Sequence, residues 1–175
     1  MFVRLIASIL VLFAAATTPS NADEARDLRF LKKIEGSGRG PGELVAGKYK
    51  GPRFTCHLNG TNPATGLGMG LKGDCRVGVF TQEMEATVVR EGKTFKGEFL
   101  DGALGTGLDV VAGNITDDRI VLTLNRKDLN GAMLARLASD NQLNVTVSVR
   151  VGEELVPVIG MSLDRMDTLA VGSTN

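Results

Sequence analysis

The chain has 175 residues, in which 20 Lys and Arg side chains balance 20 Asp and Glu, with one histidine, two cysteines and no tryptophan. A formal charge of zero argues against a nucleic-acid-binding protein, which needs a basic surplus to neutralise phosphates. A single histidine excludes a site built from several histidines, so we expect no metal and no other cofactor. The length fits one domain that closes its own hydrophobic core.

Residues 1–22 have the layout of a secretory signal peptide. Arg4 gives a positive start, residues 5–16 form an apolar run, and Ser20-Asn21-Ala22 is a small-residue cleavage site. The apolar run is shorter than the ~20 residues that a membrane-spanning helix needs, which disfavours the alternative of an uncleaved anchor. We therefore expect export to the bacterial periplasm and a mature chain, without a transmembrane segment, that begins near Asp23.

The two cysteines, Cys56 and Cys75, are predicted to form a structural disulfide. An oxidising compartment favours the bond, and a closed loop of about 20 residues contributes ~3 kcal/mol in the chain-entropy treatment. The alternative is a thiol nucleophile or a redox pair. A redox pair usually has the Cys-x-x-Cys spacing at the start of a helix, which these residues lack.

The mature chain is predicted to open with a helix over residues 23–35. Leu28, Leu31 and Ile34, together with Phe30, form an apolar stripe at three- and four-residue spacing. Acidic residues stand at the start of this segment and lysines at its end, which suits the helix dipole. Gly36 then ends the helix.

After residue 36 the hydrophobic period changes to two, which predicts short strands separated by turn residues such as Asn59-Gly60 and Glu91-Gly92. The predicted strands are 53–59, 75–80, 95–99, 108–112, 120–124, 132–137, 143–151 and 155–161. A helix is the alternative over 126–138. We predict an all-β domain over residues 23–167, an antiparallel meander of about eight to ten strands closed into a small barrel or folded into a sandwich, and a frayed tail over 168–175.

Two features that suggest chemistry have simpler structural interpretations. The glycines of Gly68-Met69-Gly70-Leu71-Lys72-Gly73 have the spacing of a dinucleotide-binding loop, but a strand rather than a helix is predicted to follow. His57 lies on the polar face of its strand, with no nucleophile nearby in sequence. We therefore predict that the protein is not an enzyme.

The segment from Leu155 to Met161 is apolar on both faces of its predicted strand. Pro157 cannot donate a ladder hydrogen bond, which places it at an edge or a bulge. Its structural interpretation is an edge covered by the N-terminal helix, and the functional alternative is an exposed docking surface for a partner or a lipid. The candidate ligand or partner residues are Leu155, Val156, Val158, Ile159 and Met161.

The order of features resembles small exported proteins of alphaproteobacteria, a group without an established function. The resemblance rests on the glycine-rich opening over residues 36–42, the Phe54-Thr55-Cys56 strand, Cys75-Arg76, and the close at Met161-Ser162-Leu163-Asp164-Arg165. The opening also resembles the first strand of calycin-type barrels, although Gly38 stands where that pattern has a tryptophan. The resemblance implies a calycin-like barrel with one disulfide.

Two functions follow as expectations. The first is a non-catalytic periplasmic barrel that binds a small apolar ligand or lipid, because the strand faces are rich in Leu, Val and Met. The same side chains would simply fill a small barrel in the structural interpretation. The second is a cell-envelope protein that binds another protein through the exposed apolar edge at Leu155 to Met161.

Overall fold

A computed structural model describes residues 21–47, 50–63, 66–100 and 108–166. The predicted signal peptide, apart from Asn21 and Ala22, and the predicted tail over 168–175 lie outside these ranges. The described elements are α1(Asn21–Ile34), β1(Gly36–Leu44), β2(Arg53–Thr61), β3(Gly68–Val77), β4(Phe80–Glu91), β5(Thr94–Leu100), β6(Leu108–Thr116), β7(Arg119–Arg126), β8(Leu129–Ser139), β9(Gln142–Val151) and β10(Glu154–Arg165).

The ten strands form a closed antiparallel barrel in which each strand pairs with the next along the chain. β1 and β10 close the ring in a register that runs from Gly38 opposite Arg165 to Leu44 opposite Ile159. The all-β barrel is therefore confirmed, and the sandwich alternative is wrong. Closure has a physical reason, since it buries one apolar face of every strand and leaves few unpaired edges.

The antiparallel order puts alternate connections at opposite ends of the barrel. We call the end that α1 covers the closed end, where β4 joins β5, β6 joins β7 and β8 joins β9. The open end carries the other connections, including those from β3 to β4, from β7 to β8 and from β9 to β10.

Helix α1 lies across the closed end and buries one side of its surface there. Phe30 and Leu31 are buried in the main core with Phe95 and Ile115. The guanidinium of Arg165, at the end of β10, donates hydrogen bonds to the carbonyl oxygens of Lys33 and Glu35. A cation at this position satisfies carbonyl groups that the last turn of a helix leaves without partners.

The predicted disulfide is confirmed and joins two neighbouring strands. Cys56 of β2 stands directly opposite Cys75 of β3 and is bonded to it. The pair belongs to a second buried cluster with Leu58 and Leu163. This bond therefore crosslinks β2 to β3 beside the place where β1 closes the barrel.

The structure corrects one predicted strand and resolves an ambiguous one. Residues 75–80 were expected to be continuous, but Val77 pairs with Phe80 around a turn in which Gly78 has a φ of +58°. The apolar residues of this turn had extended the alternating pattern across it. The ambiguous segment 126–138 is largely strand, since β8 runs from Leu129 to Ser139.

Candidate functional site

The side chains that point into the barrel become more exposed from the closed end toward the open end. Strand β9 shows this clearly, because Val145, Val147, Val149 and Val151 all face inward. Val145 is buried, Val147 and Val149 are half-buried, and Val151 is 61% exposed. Val145 is therefore more buried than its inward-facing neighbours Leu143 and Val147, and exposure on the inward face of β9 is highest at Val151, at the open end.

A fall in burial toward the open end also occurs on β2 and β4. Along β2, Leu58 and Cys56 are buried whereas Phe54 is half-buried, and along β4 the burial falls from Ala86 to Met84. The register places these partly exposed, inward-facing side chains around one space, which we call the cup. The cup is lined by Phe54, Met84, Phe99, Leu108, Val147, Val149, Val156, Ile159 and Met161.

The closed half of the interior, by contrast, is filled by its own side chains. Its buried residues include Phe30, Val88, Phe95, Val110, Ile115, Ile120, Leu122 and Leu124. Side chains packed in this way leave little free space, apart from a pocket of about 70 Å³ beside the end of α1, lined by residues that include Ile34, Leu58 and Leu143. The cup is thus the part of the barrel interior toward the open end, where its mouth lies. Its apolar side chains are partly exposed, and some of them, such as Leu108 and Val147, pack against the core beneath.

One charged side chain reaches the cup from β7. Arg126 follows Leu124 at two-residue spacing on the inward face, pairs with Leu129 across the ladder, and is half-buried. Its Nε and Nη2 atoms are buried. The wall of the cup is therefore apolar over most of its area and carries a guanidinium near the mouth.

The candidate segment of β10 is divided between the cup and the outside. Val156, Ile159 and Met161 lie on the inward face, opposite Val149, Val147 and Val145. Val158 occupies a bulge, and its carbonyl oxygen accepts a hydrogen bond from the Val45 amide. Leu155 is 46% exposed at the open end.

The prediction that the N-terminal helix covers this segment as an edge strand is wrong. Pairing of β10 with β1 reaches Ile159, so the barrel itself closes against most of the segment, while α1 lies at the opposite end. The residues before Val158 extend past β1 and pair with β9. Pro157 sits at the bulge, which is one of the two positions its missing amide allowed.

Exposed apolar side chains surround the mouth of the cup. Among the described residues, most of the exposed large apolar side chains lie at or beside the open-end connections of the barrel. We call this group the rim: Val77, Val79, Phe80, Leu100, Leu129, Val151 and Leu155. Sequence reasoning identified Leu155 of this set and missed the rest, because residues far apart in the chain meet here only through the barrel topology.

The two features with simpler interpretations behave as expected. His57 is exposed on the outer wall opposite Asp74, and the Gly68 to Gly73 motif lies within β3 with β4 after it. Within the described part of the chain, no group of three or more His, Cys, Asp and Glu residues is arranged to hold a metal ion.

Titratable groups with displaced pKa values lie on the outer wall. A hydrogen bond from Arg136 lowers the pKa of Asp118, and a hydrogen bond to Glu85 raises the pKa of Lys72. Both belong to exposed ion pairs, with N–O distances of 2.8 Å and 2.9 Å respectively. These shifts reflect local pairing on the surface and do not mark a reactive site in the cup.

No protein-family model matches the sequence, and no curated protein matches it. In solved structures, the fold resembles Rv2717c from M. tuberculosis, with a TM-score of 0.60 and 15% identity over 81% of this chain and 98% of that one. It also resembles the S-type phycobiliprotein lyase CPES from Guillardia theta, with a TM-score of 0.55 and 8% identity over 85% of this chain and 99% of that one.

At these identities the likeness concerns the fold alone. The antiparallel barrel with one disulfide is confirmed, and the resemblance to calycin-type barrels stays a prediction. The relationship to exported alphaproteobacterial proteins stays a prediction. Across the described ranges, no helix has both the length and the apolar character needed to span a membrane.

Proposed function

We propose that the protein is a non-catalytic carrier of the bacterial periplasm that holds a small apolar ligand, such as a lipid, in the cup. The observation that carries this proposal is the burial gradient along the inward faces, which leaves apolar side chains such as Val149 and Ile159 half-exposed inside a closed barrel. Binding sites for small molecules are typically concave, largely apolar and preformed, with few polar groups.

The periplasmic location has separate support. The leader-like residues 1–22 favour export, and the bonded Cys56 and Cys75 suit an oxidising compartment.

The proposal that the protein is not an enzyme is supported by the lining of the cup, since its described side chains do not bring together an acid, a base and a nucleophile. The barrel resembles that of a phycobiliprotein lyase, so the non-catalytic proposal rests on the lining of the cup and not on the fold.

The alternative of an envelope protein that binds a partner through an apolar edge has less support. Four of the five residues proposed for that edge are half-buried. Val156, Ile159 and Met161 face the cup, where a ligand rather than a protein surface would reach them. The burial pattern of this segment therefore favours ligand binding.

The carrier hypothesis can be tested by filling the cup. We expect Val149→Trp to weaken binding of the apolar fluorescent probe N-phenyl-1-naphthylamine at least tenfold, because the indole occupies the space that the probe would take. Ser148→Trp is the matched control, since the neighbouring residue of β9 points outward. Equal probe binding by both variants, with circular dichroism showing that both are folded, would exclude the cup as the site.

The natural ligand can be sought by native mass spectrometry of protein purified from its own periplasm. We expect an adduct in the mass range of a lipid or another small apolar molecule, reduced in the Val149→Trp variant. A clean mass in every preparation, together with no probe binding, would refute the carrier function.

A further inference from the structure

One of the two longest hairpins among the described strands, β3–β4, ends in a tip of unusual exposure. At this β3–β4 tip, Val79 is 90% exposed and Phe80 is 76% exposed. The described pairing between β4 and β5 ends with Glu85 opposite Leu100, so Phe80 lies five residues further toward the open end. Large apolar groups at such a position gain nothing from the barrel core, and they need a surface outside the molecule to cover them.

The tip is uncharged, but charges of both signs flank it. Residues 77–82 contain no ionisable side chain, while Arg76 precedes them and Glu83 follows. The other described hairpins of the rim repeat the arrangement: Lys127 stands next to Asp128, and Arg150 donates to the carbonyl oxygen of Glu153. Each of these tips therefore presents apolar side chains together with at least one base and at least one acid.

We propose that the rim docks on the surface of a zwitterionic lipid bilayer, with Val79 and Phe80 inserted below the headgroups. A bilayer surface offers phosphate and ammonium groups side by side, which complements tips that carry both signs of charge. Its apolar layer begins just beneath, where it can receive side chains that project from separate hairpin tips. A protein partner would instead need one contiguous complementary pocket for tips that stand around a ring.

Because the mouth of the cup lies within the rim, contact with a bilayer would serve ligand transfer. This role rests on the carrier function proposed above. The cup opens inside the rim, so docking would place the mouth against the lipid layer. An apolar ligand could then pass between bilayer and cup with little exposure to water, which is the costly part of its transfer. The docking itself depends on the rim residues and not on the cup.

The absence of tryptophan from the chain allows a direct measurement, since an introduced tryptophan is the sole indole of the protein. We expect Phe80→Trp to show a blue-shifted emission on addition of phosphatidylethanolamine and phosphatidylcholine vesicles, and quenching when the lipids carry bromine on their acyl chains. Val121→Trp is the matched control, because Val121 is 42% exposed on the outer wall of the barrel. Its emission should not change.

A charge-insertion variant tests the same contact through binding. We expect Val79→Asp/Phe80→Asp to lower the vesicle partition coefficient at least tenfold, because the two carboxylates cannot enter the apolar layer, whereas Val111→Asp/Val121→Asp should leave it unchanged. Binding that depends on apolar insertion should also persist at high salt, where exposed ionic attractions are screened.

Three outcomes would overturn the proposal: no spectral change in Phe80→Trp, equal partition of both double variants, or self-association of the wild-type chain that the Val79→Asp/Phe80→Asp variant abolishes. The last would identify a second copy as the occupant of the rim. Failure of the carrier function is distinguishable, because Val149→Trp should lose probe binding and still partition to vesicles.

Discussion

A buried carboxylate ties the helix to the barrel. Asp27 of α1 is 5% exposed, and its Oδ2 atom lies 2.9 Å from Nη1 of Arg90 near the end of β4, while its Oδ1 atom lies 3.0 Å from Nη2 of Arg26. Buried charges are stable only when they are paired. The ion pair between Asp27 and Arg90 therefore favours one orientation of α1 over the closed end, whereas Phe30 and Leu31 supply the apolar contact.

We predict that Asp27→Ala lowers the free energy of unfolding by about 1.5–3 kcal/mol, because it removes a charged hydrogen bond from the half-buried Arg90 guanidinium. Urea denaturation at neutral pH measures the change. Asp23→Ala removes an exposed partner of Arg26 on the same helix and should cost less than ~1 kcal/mol. Similar losses in the two variants would contradict the role assigned to the buried pair.

Closure of the barrel depends on how closely the backbone of strand β1 approaches the backbone of strand β10. Inward glycines recur along β1, and their surroundings differ. A Cβ atom at Gly40 would overlap the carbonyl oxygen of Ser162 in β10, whereas one at Gly38 would stand 3.5 Å from Cβ of Leu163, an ordinary contact. The first position therefore requires glycine for backbone approach, and the second does not.

We predict that Gly40→Ala destabilises the protein by about 1–3 kcal/mol, since β1 must move away from β10 to make room for the added methyl group. Gly38→Ala, two residues away on the same face, should change the stability much less. Thermal unfolding followed by circular dichroism compares them. A Gly40→Ala protein as stable as Gly38→Ala would show that the seam between β1 and β10 tolerates added volume.

For the molecule as a whole, the structure combines a closed wall with an interior that is buried in the closed half and lined by partly exposed apolar side chains in the open half. Closure satisfies the backbone hydrogen bonds of the strands without help from the core. The open half can therefore remain partly unfilled while the closed half, α1 and the disulfide maintain the fold. A carrier needs this arrangement, because its fold must be stable when no ligand is bound.

The disulfide and the predicted leader can be tested together. Expressed with residues 1–22, the protein should be recovered from the periplasm with Asp23 near its N-terminus and with no thiol that reacts with iodoacetamide. Expressed without the leader in a reducing cytosol, it should have two free thiols and a free energy of unfolding lower by ~3 kcal/mol. Free thiols in the periplasmic protein would contradict the disulfide, and retention in the cytoplasm with residues 1–22 uncleaved would contradict the predicted export.

The sequence alone determined the fold class and the single crosslink. Period-two alternation in strands such as β9, interrupted by turn residues, specifies one apolar face per strand, and that face must be buried whatever the final arrangement. The helix before β1 was likewise predicted from its hydrophobic period of 3.6 residues. These features depend on residues that are neighbours along the chain, so local reasoning reaches them.

Only the tertiary structure decided where the interior is full, which end is open and which residues meet there. Val149 and Val145 look alike in the sequence, yet one lies in the cup and the other in the packed core, because burial depends on distance from α1 along the barrel axis. Val79, Leu129 and Leu155 share the rim only because the strand order brings three distant hairpins to one end. Such placements arise from contacts between distant segments, which the alternating pattern of a single strand does not encode.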